Sequence, residues 1–211
     1  MPHARVTNKS VRANGLAANL RIMANWARTD YRIEGNQEDL QEIYYLCKAF
    51  DNGERPVMED GASKDWEGNI ILALGIEKGE SYLRGFIQSC ELSDGLLCIE
   101  AEEAWGATDF RHLLEKHYNG MKVYYIVEED GCEVYATNDI DGKYFAYHFI
   151  VASCVEGEDE YEEFKSEEEA LAYAAVRIKR DSVTIADIDK WNEEHEYDDD
   201  YISIHEFKFV A

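Results

Sequence analysis

The chain has 211 residues, 45% of them apolar, enough for one sizeable core with or without a small appendage. Its 45 acidic and 21 basic residues leave a net charge of −24, which excludes electrostatic attraction to nucleic acid or an anionic membrane and points to a basic partner. No apolar run approaches the roughly 20 residues of a membrane span, and five scattered cysteines without a C-x-x-C pair fit reduced thiols in a cytoplasmic protein.

Residues 1–22 carry Arg5, Lys9, Arg12 and Arg21 and no acidic residue. They lack the apolar stretch of a secretory signal and read as a loosely held basic extension, with Met23 as the functional first residue. From Ala27 to Glu34 polar and less polar residues alternate as in a half-buried strand. Gly35 ends it and Asn36 caps a helix whose Leu40, Ile43, Tyr44 and Cys47 share one face. Residues 54–69 read as a loop, and Ile70–Leu74 as either a short strand or a helical turn. Two apolar β-rich runs flank the turn Ser93-Asp94-Gly95, across which Cys90 and Cys98 are placed to approach each other.

Thr108 then caps a short helix through Phe110, Leu113 and Leu114, which Asn119-Gly120 closes. Met121–Val127 is a strand, Cys132–Thr137 returns antiparallel, and Asp141-Gly142 turns into a long alternating strand, Lys143–Ala152. The final third is dominated by charge. Between Glu156 and Asp200 there are 18 acidic and 5 basic residues, a net of −13 and more than half of the total. Ser166 with Glu169 opens one helix as a capping box, and Thr184 opens a second through Ile188 and Trp191. A closing strand spans Ile202–Val210.

The order strand–helix–(insert)–strand–strand–helix–strand is the split βαβ, or ferredoxin-like, pattern of an α+β fold with an antiparallel sheet. Three short motifs add to it: Met23-Ala24-Asn25-Trp26, Gly95-Leu96-x-x-Ile99 with the Glu102–Trp105 corner, and the strand ending Glu128-Glu129. In these the chain resembles the YubB-type ferredoxin-like family, over about residues 23–152. It departs from the family pattern at Ala27, where members usually carry Cys, and at Glu103, where they more often carry Thr. The resemblance implies a ferredoxin-like fold, a bacterial cytoplasm and a plasmid, phage or conjugative element as setting. It implies no reaction. The expected organisation is a basic extension (1–22), a ferredoxin-like domain (23–155) and an acidic α/β extension (156–211) packed on it.

Glu102, Glu103, Glu128 and Glu129 form the candidate site if the strands ending near Ala101 and Val127 pair. Crowded carboxylates there would serve acid–base chemistry or a hard cation, with Trp105 packed beside them as an anchor. Asn138–Gly142 begins like a calcium loop but lacks the later ligands of an EF-hand, and reads as a hairpin turn. No HEXXH, G-x-S-x-G, Walker or Rossmann motif is present.

The reading preferred on these grounds is a non-enzymatic protein-binding module without a cofactor or bound metal. Its acidic surface, Glu158, Asp159, Glu160, Glu162, Glu163, Glu193, Glu194, Asp198, Asp199 and Asp200, meets a basic protein. Two alternatives accompany it: a nucleic-acid mimic that inhibits a DNA-binding protein, and a metal-dependent hydrolase using the carboxylate cluster.

Overall fold

The computed structural model describes residues 25–195 and 200–211. The expectation of a loosely held extension at 1–22 lies outside the described residues. Strand β1 (Trp26–Glu34) alternates as its sequence requires: Ala27, Thr29, Tyr31 and Ile33 are fully buried on one face, and Arg28, Asp30 and Arg32 occupy the other. Helix α1 (Gln37–Asp51) starts where Asn36 Oδ1 accepts the Asp39 amide at 3.0 Å, and turns Leu40, Ile43 and Cys47 to the core.

Periodicity leaves Ile70–Leu74 ambiguous, and the structure resolves it as a helix, α2 (Gly68–Ala73). Side-chain clips in the preceding loop decide it. Asn69 accepts the Met58 amide at 2.9 Å and donates to Ser63 O at 2.8 Å, while Trp66 Nε1 donates to Leu83 O at 2.6 Å. So held, one helical turn is enough to bury Ile70 and Ile71.

Strands β2 (Gly85–Ser93) and β3 (Leu96–Ala104) form the expected hairpin. Asp94 (φ 51°) and Gly95 (φ 79°) have the paired left-handed conformations of a two-residue turn matched to strand twist. Helix α3 (Phe110–His117) begins one residue later than Thr108 predicts, with Asp109 at the cap position, while Thr108 Oγ1 accepts the Phe110 amide at 3.3 Å and donates to Glu103. Strands β4 (Lys122–Glu129) and β5 (Val134–Thr137) follow, joined by a 3-10 turn at Asp130–Cys132.

The principal sheet has the order β2-β3-β1-β4-β5-β9, antiparallel throughout except for the β5–β9 pair, where β9 is Lys208–Phe209. One face packs under α1, α2 and α3 around Tyr31, Ile33, Ile43, Leu97, Phe110 and Leu114.

The long strand expected at Lys143–Ala152 is shorter and later: β6 spans Phe149–Val155. Asp139, 1% exposed, is the cause. Its carboxylate accepts the amides of Lys143 (3.0 Å), Tyr144 (2.6 Å) and Phe145 (2.9 Å), so these donors are unavailable to a strand ladder. Asp141-Gly142 is therefore no hairpin turn; β5 and β6 lie in different sheets.

The second sheet has the order β7-β6-β8, with β7 at Glu158–Phe164 and β8 at Tyr201–Glu206. Helices α4 (Glu167–Arg177) and α5 (Ile185–His195) cover one face around Val151, Ala170, Ala174, Ile188, Trp191 and Ile202. Both predicted caps are present: Ser166 Oγ accepts the Glu169 amide, and Thr184 Oγ1 that of Asp187, each at 3.3 Å. The closing segment divides at buried Phe207 into β8, in the second sheet, and β9, in the first. Phe207 joins Ile126, Tyr135, Phe145 and Ile150 in an apolar cluster between the sheets.

Asp139→Ala leaves three backbone donors without their acceptor, and is expected to lower stability by about 3 kcal/mol in urea unfolding. An unchanged midpoint would show that the 138–148 connection does not depend on this carboxylate.

Candidate functional site

Strand β1 lies between β3 and β4, so the strand ends near Ala101 and Val127 do not pair with each other as expected. Register then divides the four corner glutamates. Arg28 stands opposite both Glu102 and Glu128, and Ala27 stands opposite Glu103. Glu102 and Glu128 therefore flank Arg28 on the outer face, while Glu103, like Ala27, faces the helices. Glu129 is 5% exposed and its carboxylate accepts the amides of Gly131 (2.9 Å) and Cys132 (2.6 Å), which closes the turn after β4.

Trp105 is no core anchor. It is 47% exposed, has a left-handed backbone (φ 61°), and holds its ring 4.9 Å from the Arg84 guanidinium. The same guanidinium lies 5.8 Å from the Trp26 ring, which contacts Phe86. Arg84 is thus held between two indoles at the end of the sheet.

Beneath this end lies an arrangement of acidic groups that sequence reasoning missed. Glu103 and Glu67 are both fully buried. Tyr31 donates its hydroxyl to both Glu103 oxygens (2.7 and 2.9 Å), and Thr108 donates to Oε1 at 2.8 Å. Glu67 faces this group, and neither of its buried oxygens has a hydrogen-bond partner in good geometry among the described residues. Burial first, and then the neighbouring Glu103 charge, hold the Glu67 carboxyl well above the usual carboxylate range. The two carboxyls meet because position 85 is glycine: a Cβ there would lie 2.5 Å from Glu67 Oε2 and 2.9 Å from Glu103 Cγ. Glu67 sits in a polar loop with no periodic signal. Only Gly85, a glycine opening a strand, hinted at a close approach.

The acidic surface of the last third is real but divided. Glu158, Asp159, Glu160, Glu162 and Glu163 lie on β7, an edge strand exposed along almost its whole length. Glu193 and Glu194 lie on α5, which packs against β8 at the opposite edge. Asp200 accepts the Glu156 amide at 3.0 Å, and Asp198 and Asp199 lie outside the described residues. Among the described residues, the only salt bridge from β7 is that of Glu160 to Arg177 at 2.7 Å.

The two predicted regions meet where Tyr161 of β7 donates its hydroxyl to Glu128 of β4. Around that contact, burial raises the carboxyls of Asp30, Glu128 and Glu163, and Arg28 opposes the rise in each. Arg28 itself bonds Asp30 at 3.2 Å. Elsewhere, Cys90 stands opposite Ile99 and Cys98 opposite Glu91, so the two thiols point to opposite faces and do not approach. Asn138 and Asp139 of the calcium-loop-like segment spend their side chains on backbone groups. Among the described residues no group of three or more His, Cys, Asp or Glu is placed to hold a metal ion. Comparison with known protein families, curated proteins and solved structures finds no match.

A carboxyl whose folded pKa is raised favours folding below its unfolded pKa of about 4.3, and this contribution is lost as pH rises through the folded value. Glu67→Gln removes the titration while keeping the shape. The urea midpoint of the variant, relative to the native chain, is expected to climb from about pH 4.3 upward. A pH-independent difference would show that Glu67 ionises normally.

Proposed function

We propose that this chain is a non-enzymatic protein-binding module that presents β7 to an extended basic segment of its partner. The observation that carries this reading is the edge position of β7 together with its charge. Strand β6 occupies one side of its backbone, the other side has no neighbouring strand among the described residues, and five of its seven residues are carboxylates. An added strand rich in Lys and Arg would gain main-chain hydrogen bonds from the edge and opposite charge from the side chains. Charged edges also deter self-association, and here the same charge selects against a second copy.

The underlying architecture we read as ferredoxin-like. The support is the β2-β3-β1-β4 order with α1 and α3 on one face, which is the split βαβ order. The short motifs shared with the YubB-type family support a bacterial cytoplasm and a mobile element as setting. Nucleic-acid mimicry has less support, since the acidic residues of β7 and α5 stand on opposite edges of the second sheet and form no continuous row. A hydrolase built on the corner glutamates has less still, because they divide between two faces.

A fluorescent peptide alternating Lys and Val is the direct probe. It is expected to bind at low salt, to weaken at least tenfold at 0.3 M salt, and to bind E158Q/D159N/E162Q several-fold less well. A Glu-Val counterpart should not bind. Equal affinity for the native and triple-variant proteins, or no binding by either, would overturn the reading.

A further inference from the structure

Helix α1 and the edge strand β2 each bring one cysteine to the same place. Cys47 lies on the inward face of α1, 6% exposed, and Cys90 on the inward face of β2, 4% exposed. The two elements pack directly on one another. Both thiols line one cavity of about 160 Å³, together with Phe50, Trp66, Ile70, Lys48 and Lys64. Both are free thiols. The remaining cysteines are set apart: Cys98 is on the opposite face of the sheet, Cys132 is exposed beside Asn25, and Cys154 is in the second sheet.

We propose that Cys47 and Cys90 form an oxidisable pair, closing to a disulfide that ties α1 to β2 when the chain meets a diazene or low-molecular-weight disulfide oxidant. With diamide, the thiolate of one cysteine adds to the N=N bond, and the second thiolate attacks the resulting sulfenyl hydrazide sulfur. One S–S bond forms and two S–H bonds are lost. The two electrons and two protons go to the diazene, which leaves as the hydrazine. Because both cysteines open on one cavity between two packed elements, side-chain adjustment brings the sulfurs together and favours the intramolecular step over capture by a second oxidant molecule. The cavity supplies an approach to sulfurs that are otherwise enclosed. The neighbouring Cys90 thiol first, and then burial, hold the Cys47 thiol above its ordinary range, so reaction through Cys47 quickens as pH rises. The consequence of closure falls on the β2 side of the principal sheet, far in sequence from β7.

The experiment is diamide treatment of the native chain at pH 8, followed by alkylation under denaturing conditions and peptide mapping. The expected result is a loss of two hydrogens in one cross-linked peptide pair joining Cys47 to Cys90, with Cys98 and Cys154 still alkylated. The oxidised protein should also unfold several degrees higher than the reduced one. Cys47→Ser and Cys90→Ser should each abolish the cross-link. Mapping the native chain keeps the outcome readable even if a buried serine impairs folding. Alkylation of both Cys47 and Cys90 after treatment, or a cross-link through any other pair, overturns the proposal.

Discussion

Strand β1 is the constraint on which the rest depends. It is paired on both sides, by β3 and by β4, so its two-residue alternation sorts the polar chemistry of the whole sheet into two compartments. On the inner face Tyr31 reaches Glu103 and commits that carboxylate to the interior. On the outer face Arg28 stands between Glu102 and Glu128 and draws negative charge toward the second sheet. A slip of one residue would exchange the two sets, placing Arg28 in the apolar core and Tyr31 in solvent.

The inner compartment is an unusual use of a core. Glu67 and Glu103 are buried together, and the Tyr31 and Thr108 hydroxyls donate to Glu103. Burial, and then the nearby Glu103 charge, favour the protonated form of the Glu67 carboxyl. Segment 65–67 is the other half of this arrangement. It lies along β2, with the Glu67 amide on Gly85 O at 3.1 Å and the Ile87 amide on Asp65 O at 2.7 Å. The free edge of β2 is thereby covered by the same segment that delivers the second carboxyl.

Much of the fold was legible because its signals are local. Asn36, Ser166 and Thr184 mark helix starts by donor–acceptor chemistry within one turn, and Asp94-Gly95 sets a turn by backbone preference alone. The failures are all non-local. Asp139 looks like one more turn residue until its carboxylate meets three amides farther along the chain. The acidic run at Glu158–Glu163 has no apolar alternation, because an edge strand with both faces partly solvated needs none, and its strand character comes from β6. For the candidate site, the corner glutamates do not gather as expected, since no sequence pattern states that β1 intervenes. Glu67 had no signal at all: a lone glutamate in a polar loop looks like solvent-exposed charge.

The division of the closing segment at Phe207 bears on how the chain reaches this structure. Residues 201–206 complete the second sheet and 208–209 extend the first, in parallel with β5. Neither sheet has all its strands until this late segment arrives, although β1 to β5 are consecutive and can associate early. Parallel pairing across so long a separation carries a loop-closure cost that the apolar contacts of Phe207 help to offset. The segment therefore works as a fastener applied last, and the registration of the two sheets against each other should be the slow step in acquiring the native state.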